Sequence, residues 1–100
     1  MEETEYRQSR LCRLLGNPVV FSIVLALAEH RELTPTEIAK KVGRSVYRVS
    51  NLLAALRLAE VVRYNTASRQ TKYRLKHPRQ TRPLLKSLRD FVEAAGPPHP

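Results

Sequence analysis

The stretch LTPTEIAKKVGRSVYRVSNLLAAL, residues 33–56, carries the start and stop signals of two short helices joined by a tight turn. Thr34 and Glu37 have the spacing of a capping box, in which each side chain accepts a hydrogen bond from the other residue's backbone N–H. Gly43 permits the left-handed turn that ends many helices, and Ser45 is suited to cap the next one. The stretch therefore predicts a helix-turn-helix.

The second predicted helix has two faces. Val49, Leu56 and either Leu52 or Leu53 recur at spacings of three and four residues, which is typical of a core-facing stripe. In a helix-turn-helix the second helix lies in the major groove of DNA, and its early residues meet base edges. With Leu53 in the stripe, the residues left to contact DNA are Val46, Tyr47, Arg48, Ser50 and Asn51.

The chemistry of this face fits base recognition. Arg can donate to guanine O6 and N7 together, Asn can pair with adenine, and a small hydroxyl reaches a base or a phosphate. Phosphates at the groove edge set the register of such a helix. The residues expected there are Lys40, Lys41, Arg44 and Ser45. The alternative is that Arg48 and Asn51 are ordinary solvated surface residues.

The charge distribution indicates a polyanionic partner. Residues 38–89 hold 14 Lys and Arg side chains and one acid, Glu60, whereas the whole chain has a net charge of +9. Such an uneven distribution favours nucleic acid. Many small basic proteins bind RNA or acidic surfaces instead, so the charge alone does not identify DNA as the partner. The predicted order of helices and strands is the further evidence for DNA.

Two short segments after the helices alternate in the manner of β-strands. Residues 61–65 and 70–76 place apolar side chains at every second position, and the polar residues 66–69 connect them. The pattern predicts a basic β-hairpin. Arg69 near its tip and Lys72 are expected to contact phosphate or the minor groove. The alternative is that these charges discourage edge-to-edge strand pairing.

The rest of the chain predicts three further helices. Residues 4–15 are amphipathic, residues 18–30 are apolar on nearly every side and form the expected core helix, and residues 80–94 carry one apolar side. Pro78 is expected to end the hairpin, and Pro83 to lie in the first turn of the last helix. The first and last helices have spare apolar faces that suggest a homodimer. Its expected interface residues are Leu11, Leu14, Leu84, Leu88 and Phe91.

The order of these motifs between residues 11 and 76 resembles the ArsR/SmtB family of winged helix-turn-helix repressors. The matching segments are LGNP (15–18), LTPTEIA (33–39), SVYRVSNLL (45–53), VVR (61–63) and YRL (73–75). The resemblance implies a homodimer whose first and last helices form the interface. It also implies a repressor that an effector often releases from DNA.

The family's metal-sensing positions carry other residue types in this sequence. Its thiolate site would align with Thr34 and Thr36, and the last helix offers Asp90 and Glu93 but no His. A metal site normally needs clustered Cys or His. The three histidines are scattered along the chain: His30, His77 and His99. Metal sensing of the family's usual kind is therefore not expected.

The single cysteine, Cys12, excludes an intrachain disulfide and indicates a reducing compartment. It could form a bridge across a dimer as a redox switch, or pack as a small apolar residue. The first ten residues are polar and charged, unlike a secretory leader. The apolar run 19–28 is shorter than the roughly 20 residues that a bilayer requires. A cytoplasmic location without a membrane partner is expected.

The sequence as a whole predicts one mainly α domain with a β-hairpin wing over residues 1–95, and a disordered tail over residues 96–100. The expected function is a sequence-specific DNA-binding transcription regulator, a repressor that binds an imperfect palindrome in double-stranded DNA, with no cofactor. Whether it responds to an effector is left open by the sequence. The alternatives are a nonspecific architectural DNA-binding protein and a winged-helix module for protein or RNA. An enzyme is not expected, because the sequence lacks paired catalytic carboxylates, a Gly-rich phosphate loop and a nucleophile with a placed base.

Overall fold

The computed structural model describes residues 2–66 and 69–98. Over these ranges the chain forms five α-helices and one two-stranded antiparallel sheet. In chain order they are α1 (Glu3–Leu15), α2 (Pro18–Glu29), α3 (Pro35–Val42), α4 (Val46–Leu58), β1 (Val62–Asn65), β2 (Lys72–Leu75) and α5 (Pro78–Ala95). This order confirms the expected fold class, a helix-turn-helix (α3–α4) followed by a β-hairpin wing.

The helix-turn-helix begins and ends where its capping residues predict. The Thr34 backbone N–H donates to Glu37 Oε1 at 2.8 Å, and the Glu37 backbone N–H donates to Thr34 Oγ1 at 3.1 Å. Gly43 ends α3 in the left-handed region with φ of 68°. Ser45 Oγ then accepts from the Arg48 backbone N–H at 3.1 Å. Both caps satisfy backbone donors that a helix start leaves unpaired.

The core is built around α2, as its all-round apolar sequence predicts. Val20, Ile23, Val24 and Leu27 of this helix are at most 1% exposed. They belong to one buried cluster with side chains of α3, α4, the hairpin and α5: Ile38, Ala39, Val49, Leu53, Leu56, Val62, Leu75 and Leu85. Because α4 contributes Leu53 and not Leu52 to the fully buried set, the orientation of α4 is fixed.

The hairpin has a third partner that the sequence analysis did not anticipate. Its register pairs Val62 with Leu75 and Tyr64 with Tyr73. On the other side of β2, Leu33 and Tyr73 exchange backbone hydrogen bonds of 3.0 and 2.8 Å. The residue just before the α3 capping box is therefore joined to the wing, and β2 is hydrogen-bonded on both sides at this point.

The start of α5 differs from the expectation. The helix begins at Pro78 rather than at residue 80, so Pro78 occupies the first helical position, where a missing N–H costs nothing. Pro83 is consequently inside the helix and not in its first turn. It removes one intrahelical hydrogen bond in the second turn.

At the C-terminus, residues 96–98 follow α5 without helix or strand, and the expected tail residues His99 and Pro100 lie outside the described residues. Within the described ranges no single helix is long and apolar enough to span a membrane, while the sharply bent pair α1–α2 passes that test on length and composition alone.

The capping box predicts a pH dependence of stability. Hydrogen bonds from the Thr34 backbone and side chain hold the pKa of Glu37 below its ordinary value of 4.5. A carboxylate whose pKa is lower in the folded state than in the unfolded state stabilises the fold. This stabilisation is complete when the pH is above the unfolded-state pKa, and it is lost as the pH falls through the folded-state pKa. Glu37→Gln keeps an acceptor oxygen but no charge. We expect wild type to exceed this variant in free energy of unfolding at pH 7, with the gap shrinking between pH 5 and pH 3.

Urea melts at each pH measure this gap, with Glu93→Gln at the exposed end of α5 as the matched control. A gap of constant size from pH 7 to pH 3 would contradict the assignment of the effect to the Glu37 carboxylate.

Candidate nucleic-acid interface

Helix α4 separates a buried side from an exposed one. Val49, Leu53 and Leu56 are 0% exposed and anchor the helix in the core. On the solvent side all five residues predicted to contact DNA are exposed, and we call them the recognition face: Val46, Tyr47, Arg48, Ser50 and Asn51. Tyr47 is 79% exposed, and its neighbour Val46 is 42% exposed.

Cationic side chains lie around the start of α4. Lys40 and Lys41 are exposed in the last turn of α3, and Arg44 is exposed in the connection to α4. The Arg44 Nη1 atom donates to the Gly43 carbonyl at 3.0 Å, which orients its guanidinium beside the turn. The residues of α3 and α4 form no salt bridge with any part of the chain that the structure describes. These charges are therefore available to phosphates.

The wing carries two of the predicted contact residues close to its tip. Lys72 begins β2 and is half-buried, and Arg69 is exposed with a positive φ of 67°. Non-glycine residues in that conformation are uncommon and usually mark tight turns. Ala67 and Ser68, on the same connection, lie outside the described residues.

The structure adds three polar residues that the sequence analysis missed. A groove of about 550 Å³ runs between the start of α3 and the start of β2, and Thr36, Gln70 and Thr71 line it together with Lys72. Glu37 lines the same groove, with its carboxylate held in the capping box at the start of α3. The hydroxyl and amide groups beside Lys72 can donate to a phosphate. The Leu33–Tyr73 pairing brings these segments together, and no local sequence signal reports that pairing.

The basic residues of the hairpin do not act as one group. Lys76 forms a 2.6 Å ion pair with Glu60, and the hydrogen bond and charge of Lys76 lower the pKa of that carboxyl. Arg57 of α4 lies over the ring of Tyr64, with its guanidinium carbon 5.1 Å from the ring centroid.

Arg63 and Arg74 are cross-strand partners in the hairpin. Only Arg69 and Lys72 remain near the tip.

The predicted dimer residues divide between the monomer core and the surface. Leu84, Leu88 and Phe91 of α5 are 39%, 40% and 75% exposed, and Val92 extends the same face. On α1, Leu11 is half-buried, and Leu14 packs against the core of its own chain. The predicted interface residues of α5 are therefore more exposed than those of α1.

The described residues contain no group of three or more His, Cys, Asp or Glu side chains placed to hold a metal ion. Thr34, at one of the family's thiolate positions, uses its hydroxyl in the capping box. Cys12 is exposed on α1 and does not pack into the core of its own chain.

Solved structures with the same fold are numerous, whereas no protein-family model and no curated protein matches the chain. The cadmium metal-sensor CMTR from Mycobacterium tuberculosis is 31% identical, with 78% of this chain and 80% of that chain covered and a TM-score of 0.66. Rv0081 from M. tuberculosis is 22% identical over 95% of this chain and 94% of its own, with a TM-score of 0.85.

A third similar structure is the homodimeric winged helix-turn-helix DNA-binding domain of Mb0332 from Mycobacterium bovis, described as a possible ArsR-family transcriptional regulator. It is 19% identical, with 99% of this chain and 97% of that chain covered and a TM-score of 0.77.

Proposed function

The chain belongs to the ArsR/SmtB family of winged helix-turn-helix DNA-binding regulators, and from that premise we propose that it is a transcriptional repressor that binds an imperfect palindrome as a homodimer. The DNA-binding surface comprises the recognition face, the cations Lys40, Lys41 and Arg44 with the cap residue Ser45, and the wing residues Arg69 and Lys72.

The observation that carries the proposal is the division of α4. Three fully buried side chains hold one side of the helix in the core, and this leaves Arg48, Ser50 and Asn51 exposed on the other. These residue types donate to and accept from base edges in the major groove. The cations around them supply phosphate contacts, which position a recognition helix without reading sequence.

A homodimer follows from the exposed face of α5. Leu88 and Phe91 expose apolar surface next to Val92, and an isologous contact between two copies would remove it from water. Two copies would place their recognition helices about 34 Å apart, one turn of the duplex, which corresponds to two half-sites related by two-fold symmetry.

We propose that this protein, unlike the cadmium metal-sensor CMTR, does not sense a metal ion. Hydroxyls occupy the family's thiolate positions in this sequence, Thr34 and Thr36, and hydroxyls are poor ligands for soft metal ions. The alternatives that stay open are a small molecule, a redox input, a partner protein and constitutive binding to DNA.

The experiment that tests the proposed function is selection of bound duplexes from a random pool by the purified protein. We expect enrichment of one imperfect palindrome whose half-sites are about 10 base pairs apart from centre to centre. Enrichment without any sequence preference would indicate an architectural DNA-binding protein. Failure to retard any duplex at low salt, where electrostatic binding is strongest, would indicate a module for protein or RNA.

Arg48→Ala tests the base-reading role directly. We expect it to lower affinity for the selected site by about 1–3 kcal/mol, roughly 5- to 150-fold, because an Arg–guanine contact is lost. Lys72→Ala is the comparison. It should weaken binding to the selected and to random duplexes equally, and it should reduce the slope of log affinity against log salt concentration by about one. Fluorescence anisotropy over a salt series measures both. An equal loss on random DNA for Arg48→Ala would contradict base reading.

A further inference from the structure

A basic cleft lies at the base of the hairpin, where α2, the two strands and α5 meet. Its volume is about 370 Å³, and its lining includes five cationic side chains: Arg31, Arg63, Arg74, Lys76 and Arg82. Apolar side chains, Leu27, Leu75 and Pro78, complete the lining. Volumes of about 300–1,000 Å³ are typical of small-molecule sites.

The positive charge of the cleft is largely uncompensated. Lys76 is paired with Glu60, but the residues that line the cleft include no acid. Glu29 and Glu32 flank Arg31 in sequence, yet neither forms a salt bridge among the residues that the structure describes. Four arginines from separate elements therefore surround one volume without a carboxylate partner in it.

Two of these arginines are held in an unfavourable arrangement. Arg63 and Arg74 are direct cross-strand partners in the hairpin, and like charges in that position destabilise a sheet. Arg82 is fixed from the other side, because its Nε atom donates to the Ala28 carbonyl at the end of α2 at 3.2 Å. An anion between these groups would remove the repulsion and accept several N–H donors at once.

We propose that this cleft is a binding site for a small organic oxyanion, a phosphate ester or a polycarboxylate. The planar guanidinium group matches both phosphate and carboxylate oxygens in a bidentate geometry. The apolar lining from Leu27, Leu75 and Pro78 suits the carbon skeleton of such a molecule. Inorganic ions would fill only part of the volume.

The cleft is separate from the DNA-binding surface described above. Among the residues that the structure describes, its lining contains none from α3 or α4 and none from 64–66 or 69–73 of the wing. Because it joins the hairpin to α5, a bound ligand would touch both the DNA-binding wing and the helix of the proposed dimer interface. Binding to the free protein does not require DNA, so failure of this proposal and failure of the proposed function are distinguishable.

The test is calorimetric titration of the DNA-free protein with citrate, a polycarboxylate, and with glucose 6-phosphate, a phosphate ester, in about 150 mM salt, where weak surface attraction is screened. We expect saturable binding of one molecule per chain. Arg63→Gln combined with Arg74→Gln should lower the affinity at least tenfold. Arg31→Gln, a single change at an exposed residue after α2, should also weaken binding and guards against misfolding of the double variant.

The matched control removes two charges from α5 outside the cleft, Arg79→Gln combined with Arg89→Gln, and should change the affinity less than twofold. No saturable binding of either probe, or an equal loss in both double variants, would overturn the proposal. A tenfold loss of duplex binding in Arg63→Gln/Arg74→Gln, without any change in probe binding, would assign the charges to a DNA phosphate and also overturn it.

Discussion

Leu88→Glu is expected to convert the dimer to a monomer and to lower affinity for the selected palindrome by at least about a hundredfold. Leu88 lies on the exposed apolar face of α5 with Phe91 and Val92. A carboxylate there would be buried without a partner in the dimer but solvated in the monomer. A dimer binds its second half-site at a high effective concentration, which multiplies affinity by about 10²–10⁴. Sedimentation and anisotropy titration measure the two effects.

Lys86→Glu is the matched control for this prediction. It adds a carboxylate to the same turn on the opposite side of α5, about 160° around the helix from Leu88, where the Lys86 side chain is 66% exposed and forms the surface pair with Asp90. We expect it to leave both the dimer and specific binding nearly unchanged. A Leu88→Glu protein that sediments as a dimer would show that α5 is not the interface. A monomer with full affinity for the palindrome would show that dimerisation is not needed for recognition.

Leu53→Ala is expected to lower the free energy of unfolding by about 3–5 kcal/mol, because it leaves a cavity in a fully buried site. Leu53 is 0% exposed and lies where α4 meets the core cluster around α2. Small domains have a total stability of only about 5–15 kcal/mol, so this variant should be unfolded for a measurable fraction of the time. Urea melts at one protein concentration measure the change, since dimerisation makes stability concentration-dependent.

Leu58→Ala makes the same chemical change at the end of the same helix, where the side chain is 83% exposed. We expect a change of less than about 0.5 kcal/mol. Equal effects of the two substitutions would contradict the orientation of α4, and with it the exposure of Arg48 and Asn51.

The helix-turn-helix could be predicted from sequence because its signals are local. The capping box of Thr34 and Glu37, the left-handed Gly43 and the cap Ser45 each act within four residues, and all of them are present in the structure. The choice between Leu52 and Leu53 was left open by spacing alone. Packing of α4 against α2 decides it, because only one of two adjacent leucines can point fully inward.

Features that depend on contacts distant in sequence could not be predicted. The pairing of Leu33 with Tyr73 joins segments 40 residues apart, and it creates the groove beside Lys72. The basic cleft gathers arginines from the segment after α2, both strands and α5 in the same way. The start of α5 was missed for a different reason: Pro78 was interpreted as a break, although proline is equally suited to the first position of a helix.

The hydrogen bonds between Leu33 and Tyr73 limit how this protein can leave DNA. They tie the wing to the residue before α3, so the hairpin cannot swing alone without breaking two backbone hydrogen bonds at that point. The wing is therefore coupled to the start of α3. In the proposed dimer, a change in the angle between the two halves would move both wings and both recognition helices away from the period of the duplex.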